Sequence, residues 1–177
     1  MLNKSPDTKF LDWKVQNSRV HLAEIKARLP FVQFRNTKRM VCTLGKSYSY
    51  SGQTSVGNSF DLYPPIFKLM DKLNKELNTN FNSVLINWYP KGANVGIGKH
   101  SDSEDSLVPN QPVASISLGC KCDFVLESWD KTEKVVVELK DSDVFVMGIN
   151  CQKFYGHSIN YTKMEEDRIS LTFRKFK

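Results

Sequence analysis

Between Arg168 and Arg174 the chain reads Arg-Ile-Ser-Leu-Thr-Phe-Arg, with an apolar residue at every second position. Strict alternation is the period of a half-buried strand, so Ile169, Leu171 and Phe173 share one face and Arg168, Ser170, Thr172 and Arg174 the other. Arginine is rarely buried without a partner. Two arrangements satisfy this. One is a solvated edge strand with two surface arginines. The other packs the apolar face on a second layer and sends both guanidinium groups into an interior holding a multiply charged anion, such as a dicarboxylate gripped by fork-shaped contacts.

A second pattern lies upstream in His100-Ser101-Asp102. If that segment is extended, residues i and i+2 point to the same side, which brings one imidazole and one carboxylate together. His157, in the aromatic stretch Phe154-Tyr155-Gly156-His157-Ser158-Ile159, reads as part of a buried strand and offers a third ligand. Two imidazoles and a carboxylate on one face of an octahedral Fe(II) leave three positions open. Taken alone, His-x-Asp also occurs as an ordinary surface or core pair. In Phe81–Tyr89, alternation puts Val84, Ile86 and Trp88 on one face and Leu85, Asn87 and Tyr89 on the other. An amide and a phenol thus become candidate donors to a bound cosubstrate.

In order and spacing, five pieces resemble the AlkB family of 2-oxoglutarate and Fe(II)-dependent dioxygenases. They are Asn87-Trp88-Tyr89-Pro90-Lys91-Gly92, His100-Ser101-Asp102, Ser115-Ile116-Ser117-Leu118-Gly119, His157 and the Arg168–Arg174 run. Tyr48-Ser49-Tyr50-Ser51-Gly52 is similar to the family's base-stacking segment, so the resemblance covers about residues 38–175. It implies Fe(II) on His100, Asp102 and His157, and 2-oxoglutarate held by Arg168, Arg174, Asn87 and Tyr89, with O2 as the oxidant. It also implies that an N-methyl group on a base is hydroxylated and leaves as formaldehyde. Tyr48 and Tyr50 would meet the base, Tyr50 by stacking. Glu104 would favour a base made cationic by alkylation, of the 1-methyladenine or 3-methylcytosine type. Lys38 and Arg39 are the pair singled out for phosphate contacts. Two positions depart from the family pattern: Ser170 stands where Asn is found, and Ser103 where several relatives carry a second acid. Family members that open duplex DNA have a longer region before Arg39, so the short one here points to single-stranded RNA or DNA. The motifs leave alternatives open: a hydroxylase of a protein or small molecule on the same fold, or an inactive nucleic-acid-binding relative.

At 177 residues the chain is expected to be one domain, and a single one of this size can bury a sizeable core. Residues 1–37 are expected to form an arm, helix and strand, 38–62 the nucleotide-recognition segment, and 81–177 the catalytic core. Asn17-Ser18 can cap a helix with apolar positions Leu22, Ile25 and Leu29 that ends at Pro30. His21, in its first turn, is expected to be exposed. Pro64-Pro65 opens a second helix with the stripe Ile66, Leu69, Met70, Leu73 and Leu77. From Phe81 onward short strands follow one another: 83–89, 113–118, 123–126, 134–139, 144–147, 154–159 and 168–173. The expected class is α+β, mainly β: a double-stranded β-helix (jelly roll) with N-terminal helices backing one sheet.

A net charge of +6 is compatible with a polyanionic partner, although the lysines and arginines are dispersed along the chain. The four cysteines, Cys42, Cys120, Cys122 and Cys151, lack paired C-x-x-C spacing and read as reduced buried thiols, not a zinc site. No apolar run has membrane-spanning length and no secretory pattern opens the chain, so an intracellular monomer without a membrane partner is expected.

Overall fold

The computed structural model describes residues 5–50 and 52–177, the side chains of Tyr50 and Gln53 excepted. Its elements run β1 (Thr8–Phe10), α1 (Ser18–Arg28), β2 (Val32–Gln33), β3 (Met40–Gly45), β4 (Tyr48–Tyr50), β5 (Gln53–Ser55) and β6 (Gly57–Asn58). A 3-10 turn (Phe60–Leu62) leads into α2 (Pro64–Leu77), β7 (Ser83–Tyr89), β8 (Asn94–His100), β9 (Val113–Gly119) and β10 (Cys122–Ser128). Then come β11 (Lys134–Leu139), β12 (Val144–Met147), α3 (Ile149–Phe154), β13 (Tyr155–Lys163) and β14 (Arg168–Arg174).

An eight-stranded sheet has the order β1-β12-β9-β14-β7-β3-β2, with β6 beside β3, and faces a four-stranded sheet ordered β11-β10-β13-β8. This is the jelly roll expected, and two apolar clusters hold it. Outside the large sheet, Ile169, Leu171 and Phe173 of β14 and Val84 and Ile86 of β7 pack with Ile25 of α1 and Ile66, Met70 and Leu73 of α2. Between the sheets, Phe145 and Met147 of β12 meet Phe124 and Leu126 of β10 and Tyr155 and Ile159 of β13. Because helices and strands take up the apolar face of β14, its arginine face has only the inter-sheet space to enter. All seven of its residues are buried.

α2 follows the sequence closely: Ile66, Met70 and Leu73 are its buried residues, prolines occupy its first turn, and Asn78 closes it at φ 50°. α1 departs in one respect. Asn17 stands at its start in the left-handed region (φ 54°) and makes no side-chain cap; its carbonyl accepts from the Val20 and His21 amides instead. His21 is half-buried, not exposed, because its Nδ1 lies 2.7 Å from the Tyr63 hydroxyl. Gly119, at the end of β9, has φ +85°, and a Cβ there would lie 2.3 Å from the Asp167 carbonyl oxygen. Gly119→Ala is therefore expected to cost about 2 kcal/mol or more, read as a lower denaturation midpoint at unchanged m-value. No helix among the described residues is long and apolar enough to cross a membrane. All four cysteines are free thiols; three are buried and Cys120 is half-buried.

Candidate active site

Antiparallel pairing of β8 with β13 sets His157 directly opposite His100, with ring centroids 4.3 Å apart. Asp102 lies just past the end of β8. One ligand atom from each of the three residues falls within 4.8 Å of the others. His100 Nδ1 is 2.8 Å from the Gly98 carbonyl oxygen, which can only accept, so Nδ1 carries a proton and Nε2 is the nitrogen a metal would take. The Asp102 amide donates to Gln152 Oε1 at 3.3 Å. Asp102 Oδ1 accepts from Arg174 Nη2 at 2.8 Å, and Oδ2 has no partner. Burial works to raise the Asp102 pKa, but Arg174, His157 and His100 outweigh it and hold the carboxylate below its usual range. This is a donor set that fits a divalent transition metal: a charged carboxylate with an open oxygen beside two imidazoles.

Burial also pulls His157 down to about 4, against the attraction of Asp102. It is thus neutral, as a ligand must be. The unfolded imidazole takes up its proton near 6.5 and the folded one only near 4. Stability of the metal-free protein is therefore complete above pH 6.5 and declines as the pH falls toward 4, by up to roughly 3 kcal/mol. Denaturation midpoints measured against pH in chelator should show this decline, and His157→Gln should flatten it. Parallel curves for the two proteins would contradict the assignment.

The same cavity, about 490 Å³, is lined by the triad, Asn87, Tyr89, Arg168, Ser170, Thr172 and Arg174, together with Arg39, Tyr48 and Glu104. Strand register explains the grouping. β14 lies between β7 and β9, pairing Arg168 with Tyr89 and Ser170 with both Asn87 and Ser117. Arg168 is 1% exposed. Its Nη2 donates to Ser117 Oγ at 3.1 Å, its guanidinium carbon lies 5.0 Å from the Tyr89 ring centre, and its Nε and Nη1 have no hydrogen-bond partner. Arg174 Nε is likewise unpartnered. Buried guanidinium donors left open in this way suit an anionic ligand with two carboxylates.

The pair expected to make phosphate contacts is split between two environments. Arg39 is buried: Nη1 donates to Asn87 Oδ1 at 2.8 Å, and its guanidinium carbon lies 4.3 Å from the Phe34 ring centre. β3 pairs with β7 so that Val41 stands opposite Asn87, which turns Arg39 inward along the sheet. Lys38 is exposed. Tyr48 is buried and stacked on Phe176, with centroids 4.7 Å apart and planes 13° from parallel, and burial pushes its phenol up to about 12. Glu104 is half-buried; burial first, then Asp102, raise its pKa, and Oε2 has no partner. The side chain of Tyr50, expected to stack on the base, lies outside the described residues. Three groups that hold site residues were not singled out from sequence as part of the site: the Gly98 carbonyl on His100, Gln152 on the Asp102 amide and Ser117 on Arg168. Ser117 was legible through the Ser115/Ser117 alternation that matches β14. Gln152 was not, since α3 is too short to leave a periodic signal.

The sequence model of the 2OG-Fe(II) oxygenase superfamily matches residues 14–174. Among curated proteins, the DNA oxidative demethylase ALKBH2 of Arabidopsis thaliana is 33% identical over 150 residues, covering 71% of this chain and 48% of that protein. The protein of the same name from Mus musculus is 30% identical over 140 residues, covering 74% and 57%. Replicase protein 1a of Grapevine leafroll-associated virus 3 is 28% identical over 132 residues, covering 74% of this chain and 6% of the replicase. The chain thus spans about half the length of the demethylases it matches. Among solved structures, a 2OG-Fe(II) oxygenase family oxidoreductase from Burkholderia pseudomallei superposes with a TM-score of 0.67 at 18% identity, over 94% of this chain and 84% of that one. That likeness is one of fold. Because the matched span contains the triad and the strand that carries both buried arginines, the chain belongs to the 2OG-Fe(II) oxygenase superfamily.

Proposed function

We propose that the chain is an oxidative demethylase of N-alkylated bases, of the 1-methyladenine or 3-methylcytosine type, acting as an intracellular monomer on single-stranded RNA or DNA. Membership of the superfamily brings Fe(II), 2-oxoglutarate and O2. His100, Asp102 and His157 would hold the metal, which with 2-oxoglutarate and O2 supplies the oxidising power to hydroxylate an N-methyl group.

The chain's own residues do the rest. Arg168, beside Tyr89 and Ser117, would pair with the far carboxylate of 2-oxoglutarate. Arg174 would serve the keto-acid end while fixing Asp102, and Asn87, held by Arg39, would add an amide contact. Burial of the cavity between two sheets excludes water and positions the methyl group, the protein's share of such chemistry. The observation that carries the substrate reading is Glu104, a half-buried acid with an open oxygen in the same cavity as the triad. An anion there suits a base that alkylation has made cationic, and a base held outside the stack is what such chemistry needs. Tyr48 would line the base site, and Tyr50 and Lys38 would contact base and phosphate.

Formaldehyde release from matched single-stranded RNA and DNA oligonucleotides bearing one 1-methyladenine tests the reading, with His100→Ala as control. Turnover that needs Fe(II) and 2-oxoglutarate and vanishes in the variant supports it, and the RNA to DNA ratio names the target. Succinate without formaldehyde from either strand would overturn it in favour of a hydroxylase of another substrate.

A further inference from the structure

We infer that Phe176 is a positioning residue for the base site, holding Tyr48 of β4 and the Glu104 loop in register; the inference rests on the demethylase reading above. Phe176 is 2% exposed and does not itself line the cavity. It reaches the cavity through two neighbours that do.

The first is Tyr48, whose ring stacks on Phe176 as described. The second is the loop after Asp102. Leu107 forms a β-bridge with Phe176, the Val108 amide donates to the Lys175 carbonyl at 2.9 Å, and the Lys177 amide donates to the Ser106 carbonyl at 2.8 Å. Lys177 Nζ adds a bond to the Asp105 carbonyl at 2.7 Å. Within the loop, the Leu107 amide closes onto the Glu104 carbonyl at 2.9 Å. Glu104 is thus one turn away from the bridge.

Phe176 has an anchor of its own. Asn82 Oδ1 accepts from the Phe176 amide and Asn82 Nδ2 donates to the Phe176 carbonyl, both at 2.9 Å. Asn82 immediately precedes β7, which carries Asn87 and Tyr89. A three-residue segment therefore ties the large sheet to Tyr48 on one side and to the Glu104 loop on the other. Arg168 is held independently, through the β7–β14–β9 register. Losing the Phe176 ring should accordingly disturb the base site and spare the 2-oxoglutarate site.

The test is Phe176→Ala, with Phe176→Tyr as the conservative rescue. In Phe176→Ala the KM for the methylated oligonucleotide should rise about tenfold and the ratio of succinate to formaldehyde should increase, while the KM for 2-oxoglutarate stays within about twofold. Amide exchange at Leu107 and Val108 should accelerate, with β7 and β14 unchanged. Phe176→Tyr should restore all three readouts. Should Phe176→Ala fail to fold, Phe176→Leu, which fills the space without a ring face, carries the same test. Unchanged oligonucleotide KM and coupling would overturn the inference, as would equal rises in the KM of both substrates. Absence of formaldehyde from the parent protein overturns the demethylase reading instead. The exchange measurement still decides the clamp in that case, unchanged rates at Leu107 and Val108 overturning it.

Discussion

Arg168→Met should weaken 2-oxoglutarate binding severely and leave the ligand-free protein at least as stable as the parent. The guanidinium is almost wholly buried, with one hydrogen bond to Ser117, one ring face at Tyr89 and two nitrogens, Nε and Nη1, without partners. A buried cation so incompletely paired is a cost in the absence of its anion, and an apolar side chain of similar volume is commonly neutral or stabilising at such sites. With ligand present the sign reverses. Removing one partner of a buried, hydrogen-bonded charge pair should weaken 2-oxoglutarate binding by about 10²- to 10³-fold. Arg168→Lys should recover little of it, because an ammonium cannot reproduce the forked contact. Thermal denaturation with and without 2-oxoglutarate reads both halves at once. The parent should gain about 2.7 kcal/mol at a hundredfold excess over Kd, and Arg168→Met almost nothing at the same concentration. A variant that keeps the ligand-induced shift would place the carboxylate elsewhere.

The fate of Arg168 was legible in its strand, because alternation over seven residues leaves only two arrangements and the surrounding apolar segments supply the second layer. α2 was readable for a similar reason: its stripe is long and its ends carry proline and asparagine. What escaped the sequence is local and short or distant and long-range. β8 reads Asn-Val-Gly-Ile-Gly-Lys-His, and its glycines erase the β-branched signal of a strand. Yet Gly96 is required there, since a Cβ would lie 2.6 Å from the Ile159 carbonyl oxygen. α3 has six residues, too few for a periodic pattern, and the strand expected at 154–159 begins one residue later, where that helix ends. The inward turn of Arg39 depends on pairing with Asn87 across two strands, 48 residues away in sequence. Nothing in Lys38-Arg39 distinguishes the buried cation from the exposed one.

The two roles of Asp102 can be separated by substitution. In Asp102→Ala the iron-dependent production of succinate should fall by at least about 10³-fold, and the metal-free protein should lose about 3–5 kcal/mol because Arg174 is left buried without its carboxylate. Asp102→Asn should lose turnover to a comparable degree, since an amide is a poor substitute for a charged ligand. Its carbonyl oxygen can still accept from Arg174 Nη2, so the stability loss should be smaller, on the order of 1–2 kcal/mol. The double variant Asp102→Ala/Arg174→Met removes both charges and should regain much of the stability lost in the single one, a coupling expected between groups 2.8 Å apart. Denaturant titration in chelator measures the stability terms, and iron retention under chelator competition measures the ligand role. If Asp102→Ala proves as stable as the parent, the Arg174 pair contributes nothing to the fold. If it retains iron-dependent turnover, the carboxylate ligand must come from another residue, and Glu104, two positions on and in the same cavity, is the acid to replace next.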